Sequence, residues 1–381
     1  MKLNRREMLA LALGLAAAPA FARDGEGAES LKALAARSGR RFGSAIGIRT
    51  GSFGDPRYVE IIARDCGLIV PENELKWQWT RPAPDRFDFR QADRIMDFAE
   101  AHHLAVRGHT LLWHHPAWFP EWVASYDFGA NPVAEAERML REHIATICRR
   151  YGTRIHGYDV VNEAVDPATG GLRDTAFSRA MGGAEAVLDL AFHAAREAAP
   201  HAQLVYNDYM SWTPNSATHR DGVLRLLEGF RRRNVSVDAL GVQAHIGAGN
   251  NPGDPPDFGL RDEAAWRRFL DEVVAMGYDL LVTEFDVHDR GVPADFALRD
   301  RAVADLGGAF LELMLSYPQL GDILAWGMAD SYSWLQGRTP RADGLPKRPC
   351  PYDADFRPKP LRAAMAAALA GAGSRHQPRT A

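Results

Sequence analysis

Eight short apolar runs, separated by stretches of helical pattern, constrain this chain more than any other feature. They are Ser44–Ile48, Leu68–Val70, Ala105–Thr110, Ile155–Val161, Gln203–Tyr206, Ala239–Gln243, Leu280–Thr283 and Ile323–Trp326. Runs of this kind, rich in β-branched residues, are strands covered on both faces. The clearest helix between them repeats Trp266, Phe269, Leu270, Val273, Val274 and Gly277 at i, i+3, i+4, i+7 and i+8. Another runs from Pro132 to Tyr151, with Asn131-Pro132 as expected cap and first-turn residue. Gly277-Tyr278 is expected to end the first of these before the seventh strand.

Strands joined by helical crossovers lie parallel. Eight of them predict an α/β chain folded as a single (β/α)8 TIM barrel, with its active site at the C-terminal ends of the strands. The alternative is a doubly wound open sheet. No Gly-rich dinucleotide loop follows the first strand, which weakens it. There is no internal repeat and no Pro/Ser linker. The 381 residues, 46% hydrophobic and 25% charged, suffice for a sizeable core.

The first 22 residues are expected to be an export signal. Arg5 and Arg6 precede a short apolar stretch, Met8–Ala18, and Ala20-Phe21-Ala22 supplies a cleavage point. The stretch is too short to span a membrane. The arginine pair resembles a twin-arginine signal, which places the protein in the periplasm or outside the cell. Residues 23–41 are then a lead-in, 42–370 the barrel domain and 371–381 a flexible tail. A net charge of −4 without single-sign runs gives no support for nucleic-acid binding. The three cysteines fit no metal spacing; Cys66 and Cys148 are expected to be buried and Cys350 exposed.

Conspicuous chemistry follows nearly every strand. Glu72, Asn73 and Lys76 follow the second, His109 and Trp113 the third, and Asn162 and Glu163 the fourth. Asn207, Asp208 and Tyr209 follow the fifth, Gln243 and His245 the sixth, Glu284 and Asp286 the seventh, and Trp326 and Trp334 bracket the loop after the eighth. Glu163 and Glu284 each close an apolar run. A lone strand-end Glu commonly serves a salt bridge or a cap. Two, each in a polar and aromatic cluster, suit acid-assisted displacement at an acetal carbon. His109, His114 and His115 invite a metal reading, but no HExxH is present and neighbouring carboxylates lack ligand spacing.

These clusters resemble glycoside hydrolase family 10, the endo-1,4-β-xylanases, over roughly residues 42–360. The resemblance is carried by seven segments in order: Pro71-Glu-Asn-Glu-Leu-Lys-Trp77, Gly108-His-Thr-Leu-Leu-Trp-His114, Asp159-Val-Val-Asn-Glu-Ala164, Tyr206-Asn-Asp-Tyr209, Gly241-Val-Gln-Ala-His245, Thr283-Glu-Phe-Asp286 and Trp326-Gly-Met-Ala-Asp-Ser-Tyr-Ser-Trp334. It implies an enzyme that needs no cofactor and cuts xylan and xylo-oligosaccharides with retention, through a covalent glycosyl-enzyme; no metal is expected, and the chain is expected to act as a monomer. Glu163 is then the acid and later the base, and Glu284 the nucleophile. Retention requires carboxyls about 5–5.5 Å apart, against about 6.5–9.5 Å for inversion. Two carboxyls that close are expected to have divergent pKa values.

The resemblance further implies that His245 bonds Glu284 and that Asp286 orients His245. Asn162 reads the sugar 2-hydroxyl, and Glu72, Asn73 and Lys76 hold the non-reducing-side sugars. His109, Trp113 and Gln243 line the cleft, Trp326 and Trp334 wall the sugar at the cleavage point, and Tyr209 stacks on the leaving side. Without the resemblance, Glu72 to Lys76 also fit a helix start with an i, i+4 ion pair. Trp118 and Trp122 fit either the cleft mouth or loop packing. The chain departs from the family pattern at Met210, at His115-Pro116, at Tyr158 and at Ala329. A cellulase, or an exo-acting or aryl-xylosidase variant, on the same barrel is the nearest rival; a non-catalytic binding protein is disfavoured because both glutamates are present.

Overall fold

The computed structural model describes residues 29–248 and 257–376. The expected export segment and most of the Gly-, Asn- and Pro-rich loop after the sixth run lie outside the described residues. Nine parallel strands form the sheet: β1 (Phe42–Ile46), β2 (Leu68–Pro71), β3 (Ala105–Trp113), β4 (Ile155–Asn162), β5 (Gln203–Asp208), β6 (Ala239–Val242), β7 (His245–Gly247), β8 (Asp279–His288) and β9 (Leu320–Ala325). Their order is β6-β5-β4-β3-β2-β1-β9-β8-β7, and β6 also pairs with β8, which closes the barrel. The staves number eight because β6 and β7 are one strand broken at Gln243-Ala244. Both halves pair with β8, β6 along Asp279–Val282 and β7 along Asp286–His288. Ala244 adopts a φ of 64°, a left-handed turn that interrupts the ladder there.

The strands form where the apolar runs stand, but β3, β4, β5 and β8 run past the expected ends into the polar clusters. Side chains alternate across each stave. Ile69 and Ile323 join the main core beneath the helices, while Leu68, Val70 and Leu324 gather with Ala45 and Trp326 on the other face. Val205, Ala239 and Leu281 form a further inner cluster. The barrel interior is thus packed with side chains, and a cavity opens at the strand C-terminal ends.

Helix Glu263–Ala275 buries Trp266, Phe269, Leu270 and Val273, the expected stripe, and Gly277 takes a φ of 86° just beyond its end. Helix Pro132–Tyr151 has the expected bounds, with Pro132 in its first turn, but Asn131 makes no side-chain cap bond. Cys350 is buried rather than exposed, because its backbone N–H is drawn onto the Asp330 carboxylate at 3.0 Å.

The first and last described helices meet. In the lead-in, helix Leu31–Arg37 packs against helix Pro360–Gly371. Residues 372–376, expected to be flexible, are tied to the barrel instead. Arg40 donates to the Gly373 carbonyl at 2.6 Å, the Arg375 backbone donates to Ser38 at 2.8 Å, and the Arg375 guanidinium pairs with Asp279 at 3.1 Å. No helix among the described residues is long and apolar enough to cross a membrane.

Candidate active site

The C-terminal mouth holds a cavity of about 430 Å³. Thirteen of the fourteen predicted site residues line it: Glu72, Asn73, Lys76, His109, Trp113, Asn162, Glu163, Tyr209, Gln243, His245, Glu284, Trp326 and Trp334. The fourteenth, Asp286, lies buried behind His245.

Asn162 and Glu163 are neighbours, and in a regular strand their side chains would point to opposite faces. Both reach the cavity because Glu163 leaves β4 with a φ of 56°. A left-handed conformation at a non-glycine residue costs about 1–3 kcal/mol. The turn is held by the Glu163 N–H donating to the Asn207 carbonyl at 2.9 Å and by Arg173 Nε donating to the Glu163 carbonyl at 3.0 Å. The carboxylate receives Trp113 Nε1–H at 2.9 Å on one oxygen and the Gln243 amide at 2.9 Å on the other. Burial raises the Glu163 pKa, helped by the charges of Asp208 and Glu284, and the two neutral donors only partly offset this.

Glu284 and Asp286 are two apart on β8 and therefore share a face. His245 stands between them at the start of β7, with Nδ1 2.9 Å from Asp286 and Nε2 3.2 Å from Glu284. Trp334 Nε1–H donates to the other Asp286 oxygen at 2.8 Å. Burial alone would neutralise the imidazole, but the flanking carboxylates raise His245 to about 10, so it is a cation at neutral pH. The second Glu284 oxygen accepts from Asn207 Nδ2 at 2.8 Å, and Thr283 fixes that amide by donating to Asn207 Oδ1 at 2.6 Å. Gly241 makes room for it, since a Cβ there would stand 2.3 Å from Asn207 Oδ1. Burial works against the Glu284 anion, but the bond to His245 and the nearby His109 and His245 charges prevail and lower its pKa.

On the β2 side, Lys76 Nζ donates to Asn73 Oδ1 at 3.2 Å and lies 4.8 Å from the Trp113 ring centre. The i, i+4 pairing of Lys76 with Glu72 does not form as a direct bond; instead burial raises Glu72 to about 7 although Lys76 is near. Lys76 is itself lowered by burial, against the pull of Glu284, Glu72 and Glu163. His109 bonds Asp159 through Nδ1 at 2.9 Å and meets Trp326 edge-on at 5.3 Å. Tyr209 accepts from Arg173 at 2.8 Å. Among the described residues no group of three or more His, Cys, Asp or Glu is placed to hold a metal ion. His114 instead bonds the Arg173 carbonyl at 3.1 Å, and burial lowers it to about 4.

Asn207, which bonds the Glu284 carboxylate, was not among the predicted site residues. Its place in the Tyr206-Asn-Asp-Tyr cluster was the signal. Gln78, His115, Trp118 and Arg338 also line the cavity. Trp118 stacks on Trp113 at 4.9 Å, whereas Trp122 packs a loop by donating to the Arg81 carbonyl at 3.1 Å. Such an arrangement presents a carboxyl held above its ordinary pKa and one held below it to the same small volume, with aromatic walls suited to the apolar faces of a sugar.

Comparison with known proteins identifies the family. The profile of glycosyl hydrolase family 10 matches residues 30–368. The chain is 30% identical over 355 residues to endo-1,4-beta-xylanase 5 of Pyricularia oryzae, covering 91% of this chain and 80% of that protein. It is 32% identical over 315 residues to endo-1,4-beta-xylanase B of Paenibacillus barcinonensis, covering 79% and 88%. Native xylanase 10B from Thermotoga maritima superposes with a TM-score of 0.78 at 28% identity, over 89% of this chain and 98% of that one.

Proposed function

The chain belongs to glycosyl hydrolase family 10, and from that premise we propose that it is an endo-1,4-β-xylanase. It cleaves internal β-1,4-xylosidic bonds with retention, by double displacement through a covalent glycosyl-enzyme. The observation that carries this reading is the unlike surroundings of two glutamates at one cavity: neutral donors meet Glu163, and the His245 ring meets Glu284, which favours the neutral acid at the first and the anion at the second.

Glu284 attacks the anomeric carbon while Glu163 gives its proton to the leaving oxygen. Forming the ester removes the charge of Glu284, one of the influences holding Glu163 up. Glu163 then ionises more readily and takes a proton from the incoming water. His245, oriented by Asp286, keeps Glu284 anionic before attack. Asn162, beside the Asn207 amide that bonds Glu284, receives the sugar 2-hydroxyl. Glu72, Asn73, Lys76 and His109 hold the glycone sugars, Trp326 and Trp334 wall the reacting ring, and Tyr209 meets the leaving side. Xylan and xylo-oligosaccharides are the substrates, no cofactor is required, and the enzyme acts as a monomer. Arg5 and Arg6 support export by the twin-arginine route, to the periplasm or beyond.

A time course on soluble xylan, with products sized and the first-formed anomer read by NMR, tests the reading. Early mixed oligosaccharides carrying the β-anomer are expected. An initial α-anomer would overturn double displacement, and release from cellulose but not xylan would overturn the substrate.

A further inference from the structure

The glycone side of the cavity continues outward onto a feature that the proposed mechanism does not use. Glu74 is buried and ties two loops together: one oxygen accepts the N–H groups of Ile48 and Arg49 at 2.9 and 3.0 Å, the other that of Asn73 at 3.1 Å. Arg49, in the loop after β1, is thereby anchored beside the residues assigned to the glycone sugars. Trp79 lies three residues after Lys76 in the same helical turn, its N–H bonded to the Lys76 carbonyl at 3.0 Å, so the two share a side. Gln78, between them in sequence, lines the cavity.

Trp79 is 36% exposed, unusual for an indole. The Arg49 guanidinium lies over its ring, 3.2 Å from the centre. The guanidinium's hydrogen bond to the Gln91 side chain is a long one, 3.4 Å. Among the described residues Arg49 forms no ion pair with a carboxylate. Most other arginines near an aromatic ring here also hold an acid: Arg64, Arg81, Arg150, Arg233, Arg348 and Arg362 each do. An exposed guanidinium ordered on an indole has lost much of the rotamer freedom that a flexible cation would lose on binding, and its planar fork suits a carboxylate.

We propose that Arg49, held on Trp79, recognises the carboxylate of an acidic sugar borne by the xylan chain on the glycone side of the cut. It makes the enzyme favour uronate-bearing chains over neutral ones. The inference rests on the xylanase reading and the glycone assignment above.

The test compares kcat/KM on a uronate-bearing xylo-oligosaccharide and its neutral counterpart, for the wild type, Arg49→Gln and Arg49→Lys. Arg49→Gln is expected to lose about fivefold on the acidic substrate, the scale of one exposed charge pair, and less than about twofold on the neutral one. Arg49→Lys should retain part of the preference, and 1 M salt should erase it in the wild type. Equal losses on both substrates, or a wild type without preference at low salt, would overturn the proposal while leaving the xylanase reading intact. A wild type that cuts neither substrate would overturn both.

Discussion

The ends of β4 and β8 present the same residue type to the same cavity and treat it in opposite ways. Glu163 is met by neutral donors, the Trp113 indole and the Gln243 amide, with the carboxylates of Asp208 and Glu284 close by. Glu284 is met by one amide and by an imidazolium that a second carboxylate sustains. Both side chains are buried, and burial favours the neutral acid in each. What separates them is a full positive charge at hydrogen-bond distance from one and not from the other. In the proposed mechanism this lets two like residues serve as acid and nucleophile without any difference in covalent structure.

The largest effect that sharpens this contrast is loss of Glu284, the nucleophile of the proposed mechanism. Glu284→Ala is expected to lower turnover by about 10⁵-fold on every substrate, since a covalent route disappears with it. Circular dichroism and thermal melting should show the fold retained; turnover within tenfold of the wild type would remove Glu284 from that role. Glu163→Ala should cost about 10³-fold on xylan, within the usual range for general acid catalysis, and far less for the bond-cleaving step on an aryl glycoside whose leaving group needs no proton. Equal losses on both substrates in pre-steady-state assays would mean that Glu163 is not the acid.

Replacing the cation is a smaller intervention. His245→Asn should lower kcat/KM by about 30-fold, the scale of one charge-assisted hydrogen bond, and raise the pH of the acid limb. The sign follows from Glu284: its depressed pKa keeps it ionised as pH falls, and without the imidazolium it protonates at higher pH. An unmoved acid limb would show that His245 does not set the state of Glu284. The mildest change is Trp113→Phe, which removes one N–H from Glu163. That bond favours the anion, so its loss should raise the alkaline limb and change kcat/KM by about fivefold. A downward shift would contradict the account.

Much of this was legible in the sequence because local rules govern it. Apolar runs with helical stripes between them specify parallel staves, and polar residues at the ends of those runs must gather at one mouth of the barrel. The spacing of Glu284 and Asp286 places them on one face by strand geometry alone. Other features depend on contacts between distant segments. The break of the sixth stave at Ala244, which sets Gln243 against Glu163 and His245 against Glu284, leaves no trace in hydrophobic periodicity. Asn207 sits in a visible cluster, but its aim at Glu284 depends on Thr283 and on the space at Gly241. The burial of Cys350 and the anchoring of residues 372–376 likewise come from Asp330, Arg40 and Asp279, none of them close in sequence to its partner.

The opposed pKa shifts of the two glutamates are tested most directly by ¹³C NMR titration of the glutamate side-chain carboxyls in the protein, assigned with Glu163→Gln and Glu284→Gln. The account predicts that Glu163 titrates above the ordinary glutamate range and Glu284 below it, and that Glu163 falls when Glu284 is neutralised. Titration in the reverse order, or a Glu163 pKa indifferent to Glu284→Gln, would contradict it.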